Sequence, residues 1–345
     1  MSDQTILTGT IFRGREFEPI EGRIVVENGV IDAIEETTVD ASQWIVPAFV
    51  NAHTHIGDSI AKEAGGGLTL EELVAPPDGL KHRLLREASR EELVAAMERT
   101  ISFMKRAGTA AFVEFREGGV EGVDAIEAAL SGSQVESVVL GRETIEAMEA
   151  SDGFGASGAN DGDFSRERNA TDRAEKLFGI HAGEVDESDI NPALDLDPDF
   201  LVHMVHAESL HLDRVGDSEV PVVVCPRSNV VTNVGRPPID DLADRTTVAL
   251  GTDNVMTNSP SMFREMEWAA KLSDVSAAEV LRMATINGAE IAGLNCGLVE
   301  EGRDADLLVL DGDSDNLSGA REPVRAIVRR AGVDDVERVH YAANT

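Results

Sequence analysis

The sequence has few cysteines and lacks long hydrophobic runs. Its two cysteines, Cys225 and Cys296, do not have the spacing of a disulfide framework or a zinc knuckle, so a reducing compartment suffices. No apolar run reaches the roughly 18 residues that a membrane helix needs. The start, MSDQTILTGT, lacks the charged and apolar regions of a signal peptide. We therefore expect a cytoplasmic protein without a membrane partner.

Basic residues are also scarce. Lysine and arginine together number 30, only five of them lysines, against 64 acidic residues, and the net charge is −34. This charge excludes nucleic acid as a partner, because its phosphates would be repelled. Like charge strains a compact fold at low salt, but at about 1 M salt the screening length falls to about 3 Å. We interpret the surface as that of a halophile; the alternative is an acidic mesophilic protein.

The chain does contain eight short apolar runs that end in polar or small residues. Segments of helical periodicity lie between them, such as residues 91–107 and 122–130. Eight strands, each followed by a helix, form a (β/α)8 barrel of the TIM type, in which chemistry gathers at the C-terminal ends of the strands. The eight runs are AFVNAH, TAAFVE, VESVVLG, GFGASG, KLFGIH, DFLVH, VPVVVC and TVALGTD.

Both ends of the chain have the pattern of β structure. The segment RIVVENGVIDAIEE has two extended runs around an Asn-Gly turn, and DADLLVLDGD and AIVRRAGVDDVERVHYA are also strand-like. We predict that residues 1–46 and 297–345 form one small β-sandwich domain beside an α/β barrel of residues 47–296. An insertion at 57–90, with the motifs GGG and PPDG, is expected to be irregular and either a lid or a plain surface loop.

Five residues of metal-ligand type fall at the ends of predicted strands. Because these ends meet at one mouth of the barrel, neutral imidazole nitrogens and a carboxylate would converge on one divalent cation, Zn²⁺ first and Fe²⁺ second. Glu184, three residues after the fifth strand's histidine, is the candidate proton carrier; the alternative is an ordinary exposed glutamate. The five are His53 and His55 after the first run, His181 after the fifth, His203 after the sixth and Asp253 after the eighth.

The ordered motifs resemble the amidohydrolase superfamily over nearly the whole chain. They are VPAFVNAHTHIGDS, GIHAGE, LVHMVHAE, VVVCPRSN, ALGTDN, ATINGAEIAGL and EGRDADLLVLD. Within the superfamily they are most similar to the branch of cytosine deaminase, guanine deaminase, S-adenosylhomocysteine deaminase and the triazine chlorohydrolases. The chain has no lysine at the end of the fourth strand, where binuclear members carry a bridging lysine, and this points to a single metal.

The resemblance implies roles for these residues. One divalent metal would be held by His53, His55, His181 and Asp253. Asp253 would also take the proton of the attacking water, Glu184 would shuttle protons, and His203 would orient the water. His206, three residues further on, is the alternative to His203, so the two roles stay open.

Further strand ends carry candidates for substrate binding. Arg116 follows the second strand, Arg142 the third and Arg227 the seventh, with Asn229 two residues later. Their forked donors favour an anionic substrate or tail, whereas pairing with neighbouring acids is the alternative. His206 completes the predicted substrate-binding set, and Lys81 and His82 of the insertion are minor candidates.

These features predict a metal-dependent hydrolase that deaminates an aminated heterocycle such as a nucleobase or nucleoside. The same residues would also suit hydrolysis of a cyclic amide or of a chloro-heterocycle, because they activate water whatever group leaves. A barrel that has lost catalysis and serves as a binding module is the third hypothesis. The expected partner is a small molecule, and a homo-oligomer is left open.

Overall fold

The computed structural model describes residues 4–74 and 78–342. Within them, strands and helices alternate along most of the chain. The strands are β1 (Gln4–Arg13), β2 (Glu18–Glu27), β3 (Val30–Glu36), β4 (Gln43–Pro47), β5 (Phe49–His55), β6 (Thr109–Arg116), β7 (Glu136–Gly141), β8 (Gly153–Ala156), β9 (Leu177–Ala182), β10 (Phe200–His203), β11 (Val222–Val224), β12 (Val248–Leu250), β13 (Asp253–Asn254), β14 (Leu307–Asp311) and β15 (Val336–His340).

The helices cover the strands. They are α1 (Leu70–Val74), α2 (Leu80–Glu87), α3 (Arg90–Arg106), α4 (Gly119–Leu130), α5 (Ile145–Glu149), α6 (Ser165–Ala174), α7 (Ile190–Leu194), α8 (Ser209–Ser218), α9 (Pro226–Val231), α10 (Ile239–Ala243), α11 (Met262–Leu272), α12 (Ala277–Met283), α13 (Ile286–Ala292) and α14 (Pro323–Arg329), with 3-10 turns at Ile56–Ala61 and Val333–Asp335. None of the helices among the described residues combines the length and apolar character needed to span a bilayer.

A nine-stranded parallel sheet forms the TIM-like barrel. Its order is β12-β11-β10-β9-β8-β7-β6-β5-β13. Strand β12 pairs with β11 and β13 pairs with β5. Since only two residues separate β12 from β13, both belong to one interrupted eighth strand, and the sheet closes into a ring. Each of the eight predicted runs overlaps one strand of the barrel, and the last run overlaps both parts of the interrupted eighth strand.

Local sequence explains how the barrel forms. All eight residues of β6 are buried, as expected for a parallel strand covered on both faces. Helix α3 lies outside these strands, and its N-terminus is capped by Ser89. The Ser89 side chain accepts the backbone N–H of Glu92, and the Glu92 side chain accepts the backbone N–H of Ser89. This capping box satisfies N–H groups that have no partner within the helix. The predicted helices at 91–107 and 122–130 are α3 and α4. Phe115 of β6 fills the barrel interior beneath the site.

A six-stranded sheet joins the two ends of the chain. Its order is β15-β14-β4-β1-β2-β3, and Leu308 of β14 lies opposite Val46 of β4 and Val339 of β15. In the described part of the chain these strands form one hydrogen-bonded sheet, so the two-layered sandwich and the domain bounds stay predictions. Residues 1–3 and 343–345 of the predicted domain lie outside the described residues.

Two local expectations were wrong. The run AIVRRAG is not a strand but the end of α14, whose Pro323 occupies the first helical turn, where proline's fixed φ is favourable. The insertion at 57–90 is not irregular, since it contains a 3-10 turn, α1 and α2; its Pro76 and Pro77 lie outside the described residues. Lys81 therefore lies on a helix.

Candidate metal centre

The structure brings the metal-type residues of distant strands together at the C-terminal mouth of the barrel. His55 Nε2 lies 3.4 Å from His181 Nε2. Asp253 Oδ1 lies 3.4 Å from His53 Nε2 and 3.6 Å from His55 Nε2. Donor atoms of His53, His55 and His181 lie within 4.8 Å of one another, and so do those of His53, His203 and Asp253.

The hydrogen bonds of two histidines turn their lone pairs toward each other. His181 Nδ1 contacts the Ala156 carbonyl at 2.8 Å, and His55 Nδ1 contacts the Phe115 carbonyl at 3.1 Å. Because a carbonyl only accepts, each Nδ1 carries the proton and each neutral ring has its lone pair on Nε2. Two facing lone pairs repel, and a cation between them removes that repulsion. This arrangement fits a metal ligand pair.

His53 provides a second test of the fit. Its side chain is fully buried, and neither ring nitrogen makes a hydrogen bond of good geometry among the described residues, although Nε2 lies 3.4 Å from Asp253 Oδ1. An unsatisfied buried polar group costs about 1–3 kcal/mol, which metal ligation would offset. Burial is the main reason why the pKa values of His53 and His181 are lowered. It is also the main reason why the pKa of His55 is lowered to about 3. The three rings are therefore neutral at pH 7, the form that binds Zn²⁺ or Fe²⁺.

Asp253 has a strained backbone, and each of its carboxylate oxygens accepts one hydrogen bond. Its φ is 58°, and that of His203 is 80°, both in the left-handed region that non-glycine residues seldom adopt and that recurs at functional sites. Ser228 Oγ donates to Asp253 Oδ2 at 2.6 Å, and Asn254 Nδ2 donates to Oδ1 at 2.9 Å. Burial alone would raise the pKa of Asp253, but the His53 contact and the neighbouring imidazoles hold it well below its usual range.

Glu184 and His203 lie side by side at the edge of the donor cluster. Glu184 Oε2 is 3.5 Å from His203 Nε2, and His203 Nδ1 is 3.1 Å from Asn229 Nδ2. Desolvation raises the pKa of Glu184, which suits a group that accepts and releases protons. The side chain of His206 makes no contact with the cluster among the described residues; its backbone N–H bonds to Gly183. The geometry thus favours His203 over His206.

The three candidate arginines have different surroundings. Arg142 is mostly buried, and its NH1 lies 3.1 Å from Glu117 Oε1. The buried Arg116 donates to the Glu117 carbonyl and lies against Gly57 and Glu114. The buried Arg227 is engaged by Glu265 and the Ser259 carbonyl. Arg142 and Arg116 line the cavity described in the next paragraph. Arg227 does not line it and instead contacts other protein groups.

A cavity of about 1100 Å³ lies beside the donor cluster, between α2, α3, α4 and the ends of β6 to β8. None of the five residues proposed at the metal centre from the sequence, His53, His55, His181, His203 and Asp253, lines this cavity. Glu117 lies between the cavity and His55, because its Oε1 is 2.9 Å from His55 Nδ1. The cavity is large enough for a heterocycle with a sizeable substituent.

Sequence reasoning missed two residues of this region, Glu117 and Asn254, and gave Lys81 only as a minor candidate for substrate binding. Lys81 Nζ lies 2.6 Å from Glu117 Oε1 and 3.1 Å from Asn254 Oδ1, with its side chain buried. Glu117 directly follows β6, and Asn254 directly follows Asp253, so their positions at strand ends are a signal that could have identified them. The sequence contains no comparable signal for the orientation of Lys81.

The fold and the site define a class: a TIM-like barrel with a histidine- and carboxylate-rich metal-type centre at its mouth. The sequence pattern of the Amidohydrolase family matches residues 44–209 and 167–337. A Methanocaldococcus jannaschii protein, named only as uncharacterized, is 36% identical over 334 residues, covering 86% of this chain and 87% of its own length. The chain belongs to the amidohydrolase family and is a hydrolase of that superfamily, which confirms the resemblance of its motifs.

Two further proteins are similar over nearly the whole chain. A 5-methylthioadenosine/S-adenosylhomocysteine deaminase of Halobacterium salinarum is 29% identical over 399 residues, covering 97% of this chain and 90% of that protein. A solved structure, an adenosine deaminase from Xanthomonas campestris with bound zinc, has a TM-score of 0.82 at 21% identity, covering 98% of this chain and 91% of that one. This structural similarity shows the amidohydrolase-type fold.

Proposed function

We propose that the protein is a metal-dependent deaminase that hydrolyses the exocyclic amine of a heterocycle, with a purine nucleoside or nucleobase as the first substrate class. The observation that carries the proposal is the convergence of His53, His55, His181 and Asp253 with Glu184 beside them. The deaminase activity named for the Halobacterium salinarum relative supports the reaction type.

The donor set would hold one divalent cation through His53, His55, His181 and Asp253. Zn²⁺ is the first choice and Fe²⁺ the second, because imidazole nitrogen and carboxylate oxygen suit both. When bound, such a cation acts as a Lewis acid that polarises water and lowers its pKa. A purely structural metal site needs no carboxyl groups that move protons. The presence of Asp253 and Glu184 therefore argues against an inactive binding module.

The chain's own residues supply the proton movements. Asp253 Oδ1, which faces the imidazoles, is positioned to accept the proton of the attacking water. Glu184 then protonates the leaving amine, a role favoured by the desolvation that raises its pKa. His203, 3.5 Å from Glu184, orients the water, and Asn229 fixes the His203 ring. Hydrolysis exchanges the amine for oxygen and releases ammonia.

The cavity supports a substrate with a substituent beyond the reacting ring. Arg142 lines it together with Glu117, so an anionic tail would meet a guanidinium that already has a carboxylate partner. An anionic tail would therefore have to compete with Glu117 for Arg142.

Ammonia release from aminated purines, pyrimidines and pterins, measured in high salt with Zn²⁺ or Fe²⁺ present, tests the proposal. The matched variants are Glu184→Gln and Glu187→Gln, the latter at an exposed position three residues further on. We expect Glu184→Gln to bind metal like the parent but to lose about 10²–10⁴-fold in turnover, whereas Glu187→Gln stays active. Opening of lactams or loss of chloride from triazines, without ammonia release, would move the assignment to the alternative hydrolases.

A further inference from the structure

Lys81 is a buried cation that reaches the metal centre from outside the barrel strands. It lies on α2, within the segment that separates β5 from α3, and its side chain is only 3% exposed. Its ammonium contacts two side chains, Glu117 at 2.6 Å and Asn254 at 3.1 Å. A buried charge requires such partners, since an unpaired one is strongly destabilising.

Each partner of Lys81 touches a different residue of the proposed donor set. Glu117 Oε1 is 2.9 Å from His55 Nδ1, opposite the Nε2 that faces His181. Asn254 Nδ2 donates to Asp253 Oδ1 at 2.9 Å. An ammonium only donates, so Lys81 holds the Asn254 carbonyl oxygen toward itself and turns the amide N–H toward Asp253.

We propose that Lys81 is a positioning residue that orients His55 through Glu117 and Asp253 through Asn254, and so couples α2 to the metal affinity of the barrel. The proposal rests on the proposed metal site. Contacts of this kind, one step removed from the metal, fix ligand orientation, and their loss typically weakens metal binding by about 10–100-fold.

The direction of the effect separates positioning from simple electrostatics. A lysine beside a divalent cation repels it, so removing the charge alone would strengthen metal binding. Positioning predicts the opposite, because without Lys81 the carboxylate of Glu117 and the amide of Asn254 lose the group that holds them in place. The sign of the change therefore decides between the two accounts.

The experiment compares the zinc dissociation constants of the parent, Lys81→Met and Lys62→Met by chelator competition. Lys62 is an exposed lysine of the same segment. We expect Lys81→Met to bind zinc about 10-fold more weakly and Lys62→Met to match the parent. The visible absorption of the Co²⁺ forms should shift only in Lys81→Met, since it reports ligand geometry. Unchanged or tighter zinc binding by Lys81→Met would overturn the proposal.

A second variant covers the case in which Lys81→Met fails to fold because Glu117 is left buried without its cation. Lys81→Met combined with Glu117→Gln removes both charges and is expected to bind zinc at least about 10-fold more weakly than the parent; parent-like affinity would overturn the proposal. Thermal unfolding without metal monitors folding in every variant. A parent that binds no divalent metal overturns the proposed function as well, whereas metal binding that is insensitive to Lys81 overturns only this inference.

Discussion

Arg227 Nε donates to Glu265 Oε2 at 2.5 Å, and both side chains are almost entirely buried. Glu265 Oε1 also accepts the Arg227 backbone N–H at 3.0 Å, so the carboxylate holds the start of α9 as well as the guanidinium. Ser228 and Asn229, which follow on this helix, contact Asp253 and His203. The ion pair therefore supports the orientation of two residues at the centre, although Arg227 itself is turned away from it.

Arg227→Met is expected to destabilise the fold by about 3–5 kcal/mol, because Glu265 is left as a buried charge without a partner. Combining it with Glu265→Gln should recover part of this loss. Chemical denaturation of both variants checks the prediction. If Arg227→Met keeps the parent's stability and instead raises KM, Arg227 binds substrate after all.

The tight packing beneath the metal centre predicts that a larger side chain at Gly179 destabilises the protein. A Cβ added at Gly179 would overlap the ring of Phe200 and lie 2.7 Å from Phe115 Cζ. The Phe115 ring in turn packs edge-on against His53, with centroids 4.6 Å apart.

We expect Gly179→Ala to lower the free energy of unfolding by about 1–3 kcal/mol, as overpacking does in a filled core, and to weaken metal binding because Phe115 shifts. Gly332→Ala is the matched control, since nothing lies within 4 Å of a Cβ there. Thermal unfolding and zinc titration of the two variants measure both effects. Equal stability of Gly179→Ala and Gly332→Ala would contradict this packing argument.

Asp306, directly before β14 of the terminal sheet, predicts a pH dependence of stability. The pKa of this carboxyl group is raised from 3.8 to about 6, mainly because the group is buried. Between these values the folded protein holds a proton that the unfolded chain has released, so stability falls as pH rises from 3.8 to about 6 and is level above that window.

Asp306→Asn removes this effect and keeps an oxygen to accept the Ala342 N–H. Relative to the parent, it should gain about 1–3 kcal/mol of unfolding free energy across the window. Denaturant unfolding at several pH values measures the difference, with the exposed Asp334→Asn as control. A difference between Asp306→Asn and the parent that does not change with pH would contradict this account.

The net charge of −34 predicts a salt requirement. Raising KCl from about 0.1 M to about 1 M shortens the screening length from about 10 Å to about 3 Å, which reduces repulsion among surface carboxylates. The thermal midpoint should therefore rise steadily over this range. A midpoint that stays constant or falls would remove the interpretation of the surface as halophilic.

The parts of the fold and site that follow from local pattern could be predicted from sequence. His53 and His55 share one side of β5 because they are two residues apart, and the run TVALGTD predicts the position of Asp253 in the eighth strand. The orientation of Lys81 was not predictable, because it depends on how α2 packs over the barrel. The direction of Arg227 was also beyond sequence reasoning, since it follows from the buried position of Glu265 on α11.

Metal content of the purified protein tests the central claim most directly. After incubation with Zn²⁺ or Fe²⁺ and removal of excess ion, elemental analysis should find one equivalent of metal per chain in the parent. It should find markedly less in a variant in which His55 and His181 are both replaced by alanine and which still folds. A folded parent that retains no divalent metal, or a double variant that retains as much as the parent, would contradict the account.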